Sequence, residues 1–317
     1  MAAETERSEL RERLEGFHTS KRLTELYLSP VGGNFDSAHL REINRRIFQD
    51  LPAAGFPEVK PGQFREPAPA GMDWVKHRQL DGLNVISHVA YSPMDNASIA
   101  RLDDALQQID VAKLSRLKTT PFVRAIGRLY SELDYIHPFP DGNSRTLREF
   151  TRELAEACGY NIDWTRFAAH PNGRNLLYVG RDLAVNELAM PHLRNDQTRR
   201  SVAFTQDQLA GNRDLTDLLR DAVLPGRAIA FRKLREPAAL AAFPELATAF
   251  ETMHKAEAFS REKYADDAGQ RREFMDAVRK TVLERLDAGH TNDFGMKKNR
   301  PQEAERVRSP PSGERDR

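Results

Sequence analysis

The sequence predicts an all-α fold carrying one short β-hairpin, and three observations lead there. Apolar residues recur at helical spacing on both sides of one polar loop: Phe122, Ile126, Leu129, Leu133 and Ile136 before it, and Leu147, Phe150, Leu154 and Cys158 after it. A further stripe, Leu40, Ile43 and Ile47, marks a helix over Ser37–Leu51. Strand character is confined to a short stretch around Trp74-Val75-Lys76-His77, enough for a hairpin.

Taken in order, residues 1–30 are charged and helical in pattern, ending near Ser29-Pro30 and the Gly32-Gly33 turn. Residues 52–69 are rich in Pro and Gly without periodicity and read as a loop leading to the hairpin. Asp95 or Asn96 caps a helix through about Gln108. The two helices flanking the polar loop follow, then two helical segments from Asp163 to about Arg200, broken near His170-Pro171-Asn172-Gly173. The expected organisation is a main helical domain over 1–200 and a basic connector over 201–235 around Pro225-Gly226. A small helical module follows over 236–292, with stripes Leu246, Phe250, Met253 and Phe274, Val278, Val282, Leu286, and then a disordered tail over 293–317.

Composition narrows the function classes. With 317 residues, Lys+Arg of 48 and Asp+Glu of 47 nearly cancel, so no charge excess calls for nucleic acid or a membrane surface. No apolar run has spanning length and the N-terminus lacks a secretory pattern, which fits a cytoplasmic protein. Cys158 sits on an apolar stripe and reads as a buried structural thiol; His170 and His192 lack metal-ligand spacing.

The polar loop, Ile136–Arg148, reads I-H-P-F-P-D-G-N-S-R-T-L-R. Pro138 and Gly142-Asn143 end one helix and turn the chain, and Asn143 or Ser144 suits the cap of the next. Unpaired amides at that helix start attract phosphate, and Gly142 removes a Cβ from the approach. Arg145 and Arg148, three apart, share a face and suit successive phosphates. Asp141 is a hard oxygen ligand of the kind Mg²⁺ takes beside phosphate oxygens. His137 titrates near neutrality and is the candidate general base. Each residue alone has an ordinary reading as a turn or a solvated helix face; their order between two apolar helices points to a nucleotide polyphosphate site with a base beside it.

His137 to Arg148 resembles the signature of the Fic (filamentation induced by cAMP) family, H-P-F-x-D/E-G-N-G/K-R-x-x-R. Gly33–Asp50, Gly62–Arg65 and Gly159–Trp164 are similar to flanking segments of that family, so the likeness covers roughly the first two hundred residues. The resemblance implies a Fic-type helical bundle with a β-hairpin flap, and a protein adenylyltransferase that moves AMP from ATP to a target hydroxyl. On that model His137 takes the hydroxyl proton and Asp141 holds Mg²⁺. Amides at Gly142, Asn143 and Ser144 cradle phosphates, with the Asn143 side chain at the α-phosphate. Arg145 and Arg148 take the β- and γ-phosphates, Phe139 fixes the loop as part of the nucleotide site, and the flap aligns the target by strand addition. Ser144 departs from the usual Gly or Lys, which makes close backbone approach less free.

Many family members carry an inhibitory S/T-x-x-x-E-G/N helix. The nearest stretch here, Arg11-Glu12-Arg13-Leu14-Glu15-Gly16, has Arg where Ser or Thr is expected and reads as an exposed charged turn ending in a Gly cap. The resemblance therefore implies the toxin half of a toxin–antitoxin pair, restrained by a separate small protein whose Glu reaches Arg148. Type II topoisomerase ATPase subunits are the implied targets. The alternatives are an effector secreted into a recipient or host cell, and a Fic enzyme transferring UMP, phosphate or phosphocholine.

Overall fold

The computed structural model describes residues 2–80, 83–167, 173–291 and 294. His170 and nearly all of the tail lie outside them. Helix α1 (Ala2–Leu28) is followed by α2 (Ser37–Phe48), started by Asp36, whose carboxylate accepts from the His39 amide. After a loop come β1 (Trp74–Leu80) and β2 (Val85–Tyr91), antiparallel with Trp74 opposite Tyr91, Lys76 opposite Val89 and His77 opposite His88. Then follow α3 (Asn96–Gln107), capped by Asp95, the single turn α4 (Val111–Leu114), α5 (Thr119–Ile136) and α6 (Asn143–Ala157).

A two-residue strand β3 (Asn161–Ile162) precedes α7 (Gly173–Ala189), α8 (Asp196–Leu209) and α9 (Leu215–Ala222). β4 (Val223–Leu224) pairs with β3, and α10 (Gly226–Lys233), α11 (Glu236–Ala242), α12 (Ala247–Lys263) and α13 (Ala268–Asp287) complete the order. The fold is all-α apart from these short strands.

Helix α5 runs through the middle and packs on α3, α6, α7 and α9. Its buried face includes Phe122, Val123, Ile126, Tyr130, Leu133 and Ile136, the 3.6-residue stripe expected of a central helix. The main core extends to Val223, and a second cluster begins at Ala228 and closes on Val282, Leu286 and Phe294. The stretch 201–235, expected as a connector, instead contributes Val202, Leu215, Leu218 and Leu219 to the main core. Its basic composition hid an amphipathic α9 with one apolar side. Of the expected break at His170-Pro171-Asn172-Gly173, residues 170–172 lie outside the described residues and α7 starts at Gly173; a further break follows α7 at Met190–His192, where Pro191 sits in a 3₁₀ turn. No helix among the described residues is long and apolar enough to cross a membrane.

Phe122 is fully buried, with its ring 3.9 Å from that of Tyr160. Phe122→Ala should destabilise the protein by about 3–5 kcal/mol, read as a lower urea midpoint, because the ring sits where neighbours cannot collapse.

Candidate functional site

The loop between α5 and α6 is held from below by Arg65. Its Nε donates to the His137 carbonyl at 2.8 Å, its Nη2 to the carbonyl of Ser92, and its own amide to the Pro138 carbonyl at 2.8 Å. The guanidinium lies 3.7 Å from the Trp74 ring centroid, so the same residue ties the loop to the hairpin. Burial lowers its pKa to about 10. Asn143 closes the loop from inside: its Oδ1 accepts from the Phe139 amide at 3.0 Å and its Nδ2 donates to the Phe139 carbonyl at 2.6 Å.

His137 ends α5 in the left-handed region (φ 50°), because the following Pro138 disfavours helical geometry there. Its ring is buried against Tyr91 (4.0 Å between centroids) and Trp74 (5.2 Å). Nδ1 faces Asp134 at 3.7 Å, and Nε2 lies 3.4 Å from Lys76 Nζ. Asp134 is gripped by Arg181, with Nε and Nη2 donating to the two carboxylate oxygens at 2.8 Å each. Burial works to raise the Asp134 carboxyl, but Arg181 and then His137 outweigh it and hold it well below the usual carboxylate range. Burial lowers His137 to about 4, against the pull of Asp134, with Lys76 adding to the fall. At neutral pH the imidazole is therefore uncharged. A proton on Nδ1, beside the carboxylate, leaves the Nε2 lone pair as the base.

Gly142 starts α6 with φ 74°, and a Cβ there would meet the Phe48 ring at 2.0 Å. Arg145 stacks 4.9 Å from the Phe48 ring centroid, donates to Thr19 Oγ1 at 3.0 Å and pairs with Glu15. Arg148 is partly buried, and its Nε donates to the Ser144 carbonyl at 3.2 Å. Burial lowers its pKa. A cavity of about 180 Å³ opens beside the turn, lined by Glu15, Asn44, Phe48, Asp141, Gly142 and Arg145. A larger groove of about 780 Å³, with Arg101, Lys113, Arg124 and Glu132 in its walls, touches none of the loop residues.

The Fic/DOC family model matches residues 34–155. This segment is a Fic/DOC domain. The chain is 27% identical over 197 residues to the protein adenylyltransferase VbhT of Bartonella schoenbuchensis, covering 62% of this chain and 37% of that protein. It is 26% identical over 148 residues to a protein adenylyltransferase of Bartonella henselae, covering 46% of this chain and 26% of that one. The matches thus span well under half the length of these relatives. Among solved structures it is similar to the N-terminal Fic domain of a VirB-translocated Bep effector protein from Bartonella quintana, with bound ADP. That match has 19% identity and a TM-score of 0.44, over 71% of this chain and 89% of that one.

Within the Fic domain, the expected site residues separate into two groups. His137, Asp141, Gly142, Ser144 and Arg145 line the loop, its cavity and the start of α6, whereas Phe139 is fully buried 5.4 Å from the Phe64 ring and belongs to the core. Asn143 does not cap α6; both ends of its amide are engaged by Phe139, so it shapes the loop rather than facing a phosphate. Ser144, where Gly or Lys is usual, accepts from Arg181 Nη1 at 3.0 Å, so its hydroxyl has a structural partner. Arg145 reaches α1 and α2 through Thr19, Glu15 and the Phe48 ring, whereas Arg148 bonds the Ser144 carbonyl of its own helix.

Glu15 is no exposed helix end, since α1 runs unbroken through Gly16. It reaches Arg145 rather than Arg148. Asp134 and Arg181 carried no signal in the sequence, and Arg65 and Lys76 lay in stretches read only as a family-like flank and a strand. The one carboxylate at the turn, Asp141, is exposed, and no group of three or more His, Cys, Asp or Glu among the described residues could hold a metal. That donor set fits a Mg²⁺ that takes most of its ligands from a polyphosphate and water.

The His137 shift makes a stability prediction. The unfolded histidine binds its proton near 6.5 and the folded one only near 4, so the neutral ring stabilises the fold above 6.5 and that contribution is lost as pH falls toward 4. Urea midpoints of the wild type should therefore drop faster than those of His137→Gln between these pH values.

Proposed function

We propose that this protein transfers AMP from ATP to a hydroxyl side chain of another protein. The observation that carries the reading is the buried His137, its Nε2 turned to the hairpin side, one short loop from a helix N-terminus with Gly142 and Arg145 at a cavity. In the proposed reaction the hydroxyl gives its proton to His137 Nε2 as its oxygen attacks the α-phosphorus and pyrophosphate leaves. Asp134 keeps the imidazole oriented and stabilises the cation that forms. Amides at Gly142–Ser144 and the cations Arg145 and Arg148 bind the polyphosphate. Mg²⁺, held by Asp141, supplies further charge neutralisation when bound.

The target would join the hairpin. Side chains of α7 and α8 occupy the outer edge of β2: Asn186 Oδ1 accepts from the Ala90 amide at 3.1 Å and Thr205 Oγ1 from the His88 amide at 3.0 Å. An added strand therefore pairs with β1, the other edge.

Two features support restraint of a toxin-like activity. Glu15 and Thr19 occupy Arg145, and Arg148 makes no ion pair among the described residues, leaving it for the Glu of a separate antitoxin. Type II topoisomerase ATPase subunits are the targets we would test first in a bacterial lysate, with a host-cell lysate as the comparison for a delivered effector. The bacterial reading places the enzyme in the cytoplasm.

With α-labelled ATP and lysate, His137→Ala should lower label transfer about 10²–10⁴-fold while the circular dichroism spectrum stays unchanged. Equal labelling by both proteins rejects the mechanism, and label arriving only from the γ position rejects AMP as the group moved. Glu15→Gln should lower the KM for ATP about 3- to 10-fold by freeing Arg145, since a half-exposed ion pair contributes about 1 kcal/mol.

A further inference from the structure

Strand β1 alternates, so Trp74 and Lys76 turn to the loop while His77 turns to His88 on the other face. Lys76 Nζ lies 3.4 Å from His137 Nε2, 3.4 Å from the Pro140 carbonyl oxygen and 4.9 Å from the Trp74 ring centroid. It is a partly buried ammonium with no carboxylate in ion-pair contact among the described residues, and burial lowers its pKa. A cation that has lost part of its water without gaining a counter-charge has an unmet attraction, and the place it occupies is between the base and the turn. The missing charge is an anion that arrives there.

The lone pair of Nε2 cannot serve two donors at once. While Lys76 donates to it, an incoming hydroxyl has no acceptor, and a hydroxyl that takes over Nε2 displaces the ammonium. The displaced ammonium then stands within reach of the phosphorus under attack.

We propose that Lys76 is a further active-site residue of this reaction: it holds His137 Nε2 in the free protein and passes to the non-bridging oxygens of the α-phosphate when the target hydroxyl takes its place. The inference rests on the AMP-transfer reading. The hydroxyl oxygen forms a bond to the α-phosphorus, the bond from that phosphorus to the pyrophosphate oxygen breaks, and the hydroxyl proton ends on Nε2. Lys76 keeps all its protons and neutralises charge on the α-phosphate. The charged and titratable groups facing His137 are Asp134 from its own helix, Arg181 from α7, Lys76 from β1 and Tyr91 from β2, with the Arg65 guanidinium on its carbonyl.

The test uses the full chain with Lys76→Met and Lys76→Arg. Lys76 is only partly buried on a hairpin face, and thermal midpoints check that both variants fold. With α-labelled ATP and lysate, Lys76→Met should lower the transfer rate about 10²-fold with the KM for ATP within threefold, and Lys76→Arg should restore part of the rate. In Lys76→Met the acid limb of kcat/KM should move to higher pH, because one cation has left the base.

A readout independent of turnover is the ¹⁵N signal of the His137 ring, which should titrate higher in Lys76→Met than in the wild type. Unchanged rate and an unchanged His137 titration in Lys76→Met would overturn the inference while leaving AMP transfer standing. A wild type that moves no label, yet whose His137 titration responds to Lys76→Met, would instead reject the reaction and keep the contact.

Discussion

Two opposite charges buried together, Asp134 and Arg181, set the geometry of the whole site. Both side chains are almost completely shielded from water, so neither tolerates the loss of the other. Their pairing locks α5 to α7 at the level of the loop. From there Arg181 reaches Ser144 at the start of α6, and Asp134 faces the Nδ1 of His137. Next along α7, Asp182 takes Arg78 and Ser87 of the hairpin. One short stretch of α7 therefore positions the base, the helix that would face phosphate, and the hairpin above both. Replacing the pair with apolar side chains of similar volume would remove the contacts to Ser144 and His137 at once and leave those of Asp182 to the hairpin.

The site is also lopsided in charge. Arg65, Lys76, Arg145, Arg148 and Arg181 surround a loop whose nearby carboxylates are Asp134, Asp141 and Glu15. Asp134 is already committed to Arg181 and Glu15 to Arg145. Desolvation lowers the proton affinity of Arg65, Lys76 and Arg148, the mark of cations held without enough counter-charge. A ligand with several negative charges relieves that strain, and an uncharged one does not. The left-handed His137 at the start of the loop adds backbone strain, which persists because Arg65 and Asn143 bond the following segment on both sides, while Gly142 at the other end takes its left-handed φ without cost.

The helices and the loop were legible because their signals are local. Stripes at 3.6-residue spacing marked α2, α5 and α6, and Pro and Gly punctuated the turn. What stayed hidden lies far along the chain from the loop it serves: Arg181 is 47 residues from Asp134, Lys76 61 from His137, Arg65 72 from His137 and Glu15 130 from Arg145. Such pairings carry no periodicity. Gly16 was misread as a helix end for a related reason. A glycine costs a helix interior only about 1 kcal/mol, and bonds on either side, such as Arg22 to Asp50 at 2.7 Å, keep α1 continuous through it. The charged run at 201–235 concealed core helices because only one side of α9 is apolar, which overall composition does not reveal.

The loop divides the site into two compartments. On one side lies the cavity with Glu15, Asp141, Gly142 and Arg145; on the other, His137 faces Lys76 and the hairpin. Pro140 stands on the partition, its carbonyl accepting from Lys76 while its neighbour Asp141 opens to the cavity. In the proposed reaction a nucleotide in the first compartment and a hydroxyl presented from the second would meet across the loop. Whatever loads the cavity must separate Glu15 from Arg145, and whatever loads the hairpin must separate Lys76 from His137. Two internal contacts, Glu15 on Arg145 and Lys76 on His137, thus occupy groups that the proposed reaction would use. Only the first of these supplies counter-charge, so the charge of Lys76 is left for an anion to meet.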